Sequence, residues 1–422
     1  MMQHTDTDKL VDHLFRHEAG KMVAVLSRLF GLHNIELAED VVQDAFVKAQ
    51  QSWKLNLPSD PSAWLMQVAK NRAIDILRRY NHSKKYARTV LFHENEIAEV
   101  EQCFHQTEIA DSQLRMMFAC CHPALKQEDQ VALTLKTVSG FSMQEIARSL
   151  LTNEAAVQKR LHRAKEFLKS NNIQLEIPSG KDLKQRLDTI YTILYLLFNE
   201  GYNSLRADEL IRRDLCAEAM RCCKILTEHD AGKQPPSFAL LGLMCFHAAR
   251  FDSRTDENDD IILLQHQDRT KWDRELIQVG VYYLNQSSTG ADLSIYHIES
   301  AIAAEHCLAS SFSNTNWQRM LQLYDLLLEV NPGPVVQLNR AVVIAETGDI
   351  QQAIQSILSI EGIEKLIRTD HLYSSVLGEL YKRLSDTVKA KEYLQHAHDL
   401  TPSNAEKKLL KIKLEEMIQG AN

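Results

Sequence analysis

A chain of 422 residues is long enough for two to four domains, each with its own core. Its formal charge of -8 argues against a protein that coats nucleic acid along its whole length; a local basic patch remains compatible with that charge, because phosphate attraction is screened beyond about 10 Å at 0.1 M salt. No apolar run approaches the roughly 18 to 20 residues of a membrane span, the first residues carry no basic segment leading into an apolar one, and the eight scattered cysteines have neither disulfide-scaffold nor zinc-site spacing. The expectation is a soluble, cytoplasmic protein with no membrane partner, metal or cofactor.

Taken in chain order, nearly every periodic segment reads as helix. Residues 8–30 alternate at helical spacing, and 36–53 place Leu37, Val41, Phe46 and Ala49 on a packing side with Glu39, Asp40 and Asp44 outside. Pro58 and Pro61 break the pattern, after which Asp60 or Ser62 caps a helix with Trp64, Val68, Ile74 and Leu77 inside. Its later turns are basic, part of a stretch from Lys70 to Arg88 in which Lys70, Arg72, Arg78, Arg79, Lys84, Lys85 and Arg88 stand against a single acid, Asp75. Residues 81–109 lack a sustained period and read as a connection between two small helical domains.

The stretch from Gly140 to Lys169 carries the sharpest signal. Ser142 and Glu145 have capping-box spacing, so a helix starts there with Ile146, Ala147 and Leu150 on its inner side and stops near Leu151. Thr152 or Asn153 then caps a second helix whose Val157, Leu161, Ala164 and Leu168 face the core. Gln158, Lys159, Arg160, Arg163 and Lys165 stay outside. From Lys136 to Lys169 there are seven Lys and Arg against three Asp and Glu. This is the division expected of a helix-turn-helix whose second helix meets phosphates and base edges, with Ala147 permitting close crossing. Cys120, Cys121 and His122, just upstream, read as helix packing before a Pro123 turn.

Pro178 and Gly180 mark another boundary, beyond which long helices resume. DSRTDENDD reads as a surface loop. His247, Asp252, Asp268, Asp273 and Glu275 read as capping, paired or solvated groups, and Arg250, Arg254, Arg269 and Arg274 as inter-helix salt bridges, with an effector pocket as the alternative. No phosphate loop, HExxH helix or nucleophile motif occurs. Toward the end, Gly378, Tyr381, Ala390, Leu394, Ala397 and Pro402 have the offsets of a 34-residue tetratricopeptide-like repeat, with Ala341, Ile344 and Ala353 in a preceding unit. Trp317, Tyr324 and Pro332 suggest a third, more degenerate unit.

Together AEDVVQDAFVKAQQSW, PSAWLMQVAKNRAIDILRR and the helix-turn-helix segment resemble a bacterial RNA polymerase sigma factor of the extracytoplasmic-function class. LYLLFNEGY, LCAEAMR, LMCFHAARFDSR and QDRTKWDRELI resemble its subgroup with a long carboxyl extension. The resemblance implies an all-α fold: a sigma region 2-like domain over 1–90, a linker over 91–109, a region 4-like domain over 110–172, a helical middle domain over 180–290 and repeats over 291–422. It implies a specificity subunit without catalytic activity, partnered by the polymerase beta and beta-prime subunits and by promoter DNA. A regulatory protein could act through the extension, so that residues 180–422 affect activity. Asp40, Gln43 and Asp44 would face the polymerase. Lys70, Asn71, Arg72, Arg78 and Arg79 would face the -10 element, and Gln158, Lys159, Arg160 and Arg163 the -35 element. Trp64, Asp75, Ala147, Val157 and Leu161 would support these surfaces. The alternative is a DNA-binding regulator whose repeats recruit a protein partner.

Overall fold

The computed structural model describes residues 2–84, 98, 100–150, 152–203, 211–258, 260–290 and 293–419. Among these, regular structure is helical, and the one β-type pairing is an isolated bridge between Thr255 and Ile261. The chain divides into two compact units, Met1–Leu194 with Glu228–Gly232, and Tyr195–Thr227 with Lys233–Asn422.

The first unit begins with α1 (Met2–Phe30), α2 (Ile35–Ser52) and α3 (Pro61–Lys84). Helix α3 starts because Asp60 Oδ1 accepts the Ala63 amide at 2.9 Å while Pro61 fills the first helical position. The inner stripe of α3 is Leu65, Ala69 and Ala73, all fully buried. Trp64, Val68, Ile74 and Leu77, expected inside, are half-buried. Small residues allow the helix to approach closely along one line, which leaves the larger side chains flanking it. Leu37 departs from expectation further: at 37% exposure it lies on the outer face of α2, while Val41, Phe46 and Ala49 are buried.

Residues 98 and 100–103 are helical, with Val100 buried, and α4 (Gln106–Cys120) follows. Then come α5 (Gln127–Thr137), α6 (Met143–Ser149) and α7 (Glu154–Ser170). Helix α8 (Gly180–Tyr202) runs from the first unit into the second. Next are α9 (Arg213–Glu228), α10 (Pro235–Ala248), α11 (Arg274–Ser287) and α12 (Ile295–Leu308). Helix α10 is buried on nearly every side, as its run SFALLGLMCF requires. The chain finishes with α13 (Trp317–Val330), α14 (Pro334–Glu346), α15 (Ile350–Leu358), α16 (Ile363–Thr369), α17 (His371–Arg383), α18 (Thr387–Leu400) and α19 (Asn404–Gln419).

In this last stretch α13 packs on α14 and α18 on α19, α14/α15 and α17/α18 form hairpins, and α15 packs on α17 past the short α16. Ala341, Ala353, Ala390 and Ala397 are fully buried at the crossings. A methyl group on Gly378 would lie 2.7 Å from Leu394 Cγ, so α17 and α18 meet where only glycine fits. The short helix α16 intervenes between the two hairpins.

Candidate nucleic-acid interface

Helix α7 owes its geometry to two caps and one stripe. Ser142 Oγ accepts the Glu145 amide at 3.2 Å, and the Ser142 amide donates to Glu145 Oε2 at 2.8 Å, closing a capping box on α6. Asn153 Oδ1 accepts the Ala156 amide at 2.9 Å and starts α7. Ile146 and Ala147 of α6 are buried, as are Val157, Leu161, Ala164 and Leu168 of α7, whereas Leu150 is half-buried. Leu151, expected at the turn, lies outside the described residues.

The outer face of α7 is not uniformly available. Gln158 and Lys159 are exposed. Arg160 Nη2 is 2.9 Å from Glu128, and Arg163 holds the buried carboxylate of Asp129 with both Nε (3.3 Å) and Nη2 (2.6 Å). That paired geometry fixes α7 against the start of α5, so Arg163 is as much a bracket of the domain as an outward cation. The Asp129 hydrogen bonds and charge raise the proton affinity of Arg163 further. Lys165 Nζ donates to Glu39 Oε2 at 2.6 Å, joining α7 to α2.

On the first three helices, Asp40, Gln43 and Asp44 are exposed on one face of α2, flanked by Leu37 and by Val47 at 46% exposure. Arg78 and Arg79 are exposed on α3, and Asn71 is exposed with its Oδ1 accepting from Gln67 at 2.8 Å. Arg72 Nη2 lies 3.8 Å from Asp44 and Lys70 Nζ lies 3.9 Å from Glu101. Asp75 is exposed on α3 instead of being built into its support, and Trp64 sits edge-on to Trp53 with ring centroids 5.4 Å apart. The Lys84 side chain and residues Lys85 and Arg88 lie outside the described part.

Sequence reasoning missed how the two basic modules meet. Arg28 Nη1 of α1 reaches Glu108 at 2.7 Å and Asp111 at 3.1 Å on α4. Gly20, midway along α1, presses on the main chain after α5: a Cβ there would fall 2.0 Å from the Val138 carbonyl oxygen. Backbone meets backbone at that point, and only a residue without a side chain permits it. The signal in the sequence was a lone glycine inside a helical pattern.

Upstream, Cys120 and Cys121 are fully buried, their Sγ atoms 3.1 Å from Thr137 Oγ1 and 3.7 Å from Thr134 Oγ1. Burial raises both thiols, Cys121 to about 12. Among the described residues no group of three or more His, Cys, Asp or Glu is placed to hold a metal ion, and no helix is long and apolar enough to cross a membrane.

Comparison with known families matches residues 14–83 to Sigma-70 region 2 and residues 115–168 to Sigma-70 region 4. Residues 186–288 match a family of unknown function, DUF6596. An uncharacterized protein of Rhizobium meliloti (strain 1021) is 32% identical across 91% of this chain and 90% of its own length. The ECF RNA polymerase sigma factor SigE of Mycolicibacterium smegmatis is 27% identical over 37% of this chain and 60% of that protein. The RNA polymerase sigma factor CarQ of Myxococcus xanthus is 28% identical over 39% of this chain and 91% of its own. Regions 2 and 4 therefore follow one another here in sigma order and are continued by a long helical segment, and the chain belongs to the extracytoplasmic-function sigma factors, in a form with a C-terminal extension.

Proposed function

We propose that this chain binds core bacterial RNA polymerase and directs it to promoters, with α2 docking on the beta-prime subunit, the region 4-like domain on the beta subunit, and α3 and α7 meeting DNA. The observation that carries the reading is the pairing of an acidic and apolar exposed face on α2 (Leu37, Asp40, Gln43, Asp44, Val47) with exposed cations on the adjoining α3 (Arg78, Arg79). A regulator that only binds DNA has no use for the first of these. Lys159, Arg78 and Arg79 supply phosphate attraction, and Gln158 an amide for base edges.

The contacts between the two modules bear on how the chain works. The -10 and -35 elements are centred about 25 base pairs apart, roughly 85 Å along B-form DNA at 3.4 Å per base pair. Modules joined by direct contacts at Gly20, Arg28 and Lys165 do not span that distance, so promoter engagement requires them to part. The packed arrangement is thus a closed form. On this reading, residues 180–422 set the balance between closed and open forms, their hairpins α14/α15 and α17/α18 acting as tetratricopeptide-like units that meet a regulatory protein, and the protein acts in the bacterial cytoplasm.

The docking surface is tested by core-polymerase binding of the full chain with Asp40→Lys and Asp44→Lys. Affinity falls at least about tenfold if α2 docks there, given the cost of like charges across an interface. Unchanged affinity in the folded variant contradicts the assignment. A chain ending at Asn203, which keeps α8 whole, tests the extension: identical polymerase binding and promoter output to the full chain would remove its regulatory role.

A further inference from the structure

Three arginines of the second unit lie close together with no carboxylate paired to them among the described residues. Arg250 and Arg269 are each 9% exposed, and their guanidinium carbons lie 5.4 and 4.4 Å from the centre of the same Trp272 ring. Arg254 joins them, its guanidinium 3.8 Å over Tyr202, whose ring is 4.6 Å from that of His247. The salt bridges expected of these residues are absent among the described residues. Arg250 donates through Nε and Nη2, both at 3.2 Å, to Gln267 Oε1, a neutral amide oxygen that also faces Ser253 Oγ at 3.4 Å. Arg254 donates to the Tyr202 carbonyl and Asn203 Oδ1, and Arg269 to the carbonyls of His306 and Ala309. The nearby acids are engaged elsewhere: Asp252 pairs with Arg213 at 2.6 Å, and Asp268 and Asp273 cap their own turns.

The charge count is lopsided. Arg254 and Arg269 sit at the carboxyl ends of α8 and α12, which together offer about one elementary negative charge. Among the described residues three guanidinium charges are set against it, leaving roughly two unmatched in a largely buried place, an arrangement that is costly without a counter-ion. Buried polar nitrogens are also left over. Arg269 Nη2, His247 Nδ1 and His306 Nδ1 are buried with no hydrogen-bond partner. Burial, followed by the fields of Arg250 and Arg254 or of Arg250 and Arg269, lowers His247 to about 3 and His306 to about 4, so both rings are neutral and can present an N–H without adding charge. His306 also lines a cavity of about 650 Å³, walled in part by Phe312, Trp317 and Tyr324.

We propose that Arg250, Arg254 and Arg269, with His247 and His306, form a binding site for the oxyanion group of a small molecule, entered from the cavity beside His306. The group is a phosphate or carboxylate: guanidinium forks match either. The aromatic cavity wall takes the apolar or planar body to which the anion is attached. Binding links the α8–α10 segment and the repeat helices through one ligand, independently of polymerase or DNA.

The test is a calorimetric and thermal-melting titration of the full chain with inorganic phosphate and, separately, citrate, each against sodium chloride at matched ionic strength. Saturable binding of phosphate identifies a phosphoryl ligand class, and of citrate alone a carboxylate class. Arg269→Gln and Arg250→Gln should each weaken binding about tenfold or more, while Lys271→Gln, on the exposed neighbouring turn, leaves it unchanged. Circular dichroism checks that each variant folds, and the wild-type titration decides even where one does not. No saturable response to either anion overturns the proposal, as does equal affinity in folded Arg269→Gln or Arg250→Gln protein.

Discussion

Gly20→Ala separates the closed arrangement from the folding of its parts. The new methyl carbon would stand 2.0 Å from the Val138 carbonyl oxygen and 2.6 Å from its carbon. Both are main-chain atoms, so no side-chain rotation relieves the overlap and α1 must move away from the segment after α5. Overpacking of this kind costs about 1–3 kcal/mol. Within α1 the same substitution is favourable by roughly 1 kcal/mol, because alanine outranks glycine in a helix interior. The two effects differ in sign and in place: the helix gains while the contact between modules loses. The closed population should fall by roughly five- to 150-fold relative to open. Spin labels at Gln50→Cys on α2 and Lys169→Cys on α7, in a Cys103→Ser background, read the separation by dipolar spectroscopy. The variant should add a longer, broader distance population and bind core polymerase more tightly than its parent. An unchanged distance distribution and unchanged core affinity would refute the closed-form reasoning.

Other consequences are as direct. Lys159→Ala should weaken promoter binding with little change in melting temperature and reduce the salt slope by about 1, whereas Arg163→Ala should lower both DNA affinity and melting temperature, since it also strips the partner from buried Asp129. Equal melting curves for the two variants would contradict the bracket role. Glu299 is pushed up to about 7 by burial, although its Tyr195 hydrogen bond acts the other way. The folded carboxyl then keeps its proton between pH 4.5 and about 7 while the unfolded chain releases it, so this group's contribution to stability falls as pH rises through that window and is level above it. Urea midpoints at pH 5 and 7.5 should show that decline shrinking in Glu299→Gln, and an identical pH dependence would contradict it. Finally, half-buried Cys103 should be alkylated well before Cys120 and Cys121, whose burial raises their thiols. Mass spectrometry showing Cys120 or Cys121 modified first in the folded chain would count against that burial.

How much was legible in the sequence follows from how local each determinant is. The capping box at Ser142 and Glu145 and the stripe from Val157 to Leu168 are set by neighbours three and four residues apart, and the structure has them as expected. The inner line of α3 differs from the one expected because helical spacing does not say which of several neighbouring stripes packs inward: close approach selects Ala69 and Ala73 over Trp64 and Ile74. Leu37 shares the helical spacing of the buried stripe of α2 yet lies outside it, at the stripe's edge. Partners distant in the chain were not legible. Nothing near Lys165 announces Glu39, and nothing near Arg250 announces that its acceptor is an amide oxygen of Gln267.

The central claim is that α2, α3 and α7 serve polymerase-directed promoter recognition. Run-off transcription on a genomic promoter library, with core bacterial RNA polymerase and the purified full chain while promoter opening is monitored, tests it most directly. The account predicts initiation that depends on both components and starts downstream of a shared pair of sequence elements. Failure of the chain to bind core polymerase, with DNA binding intact, would contradict it and leave a DNA-binding regulator in its place.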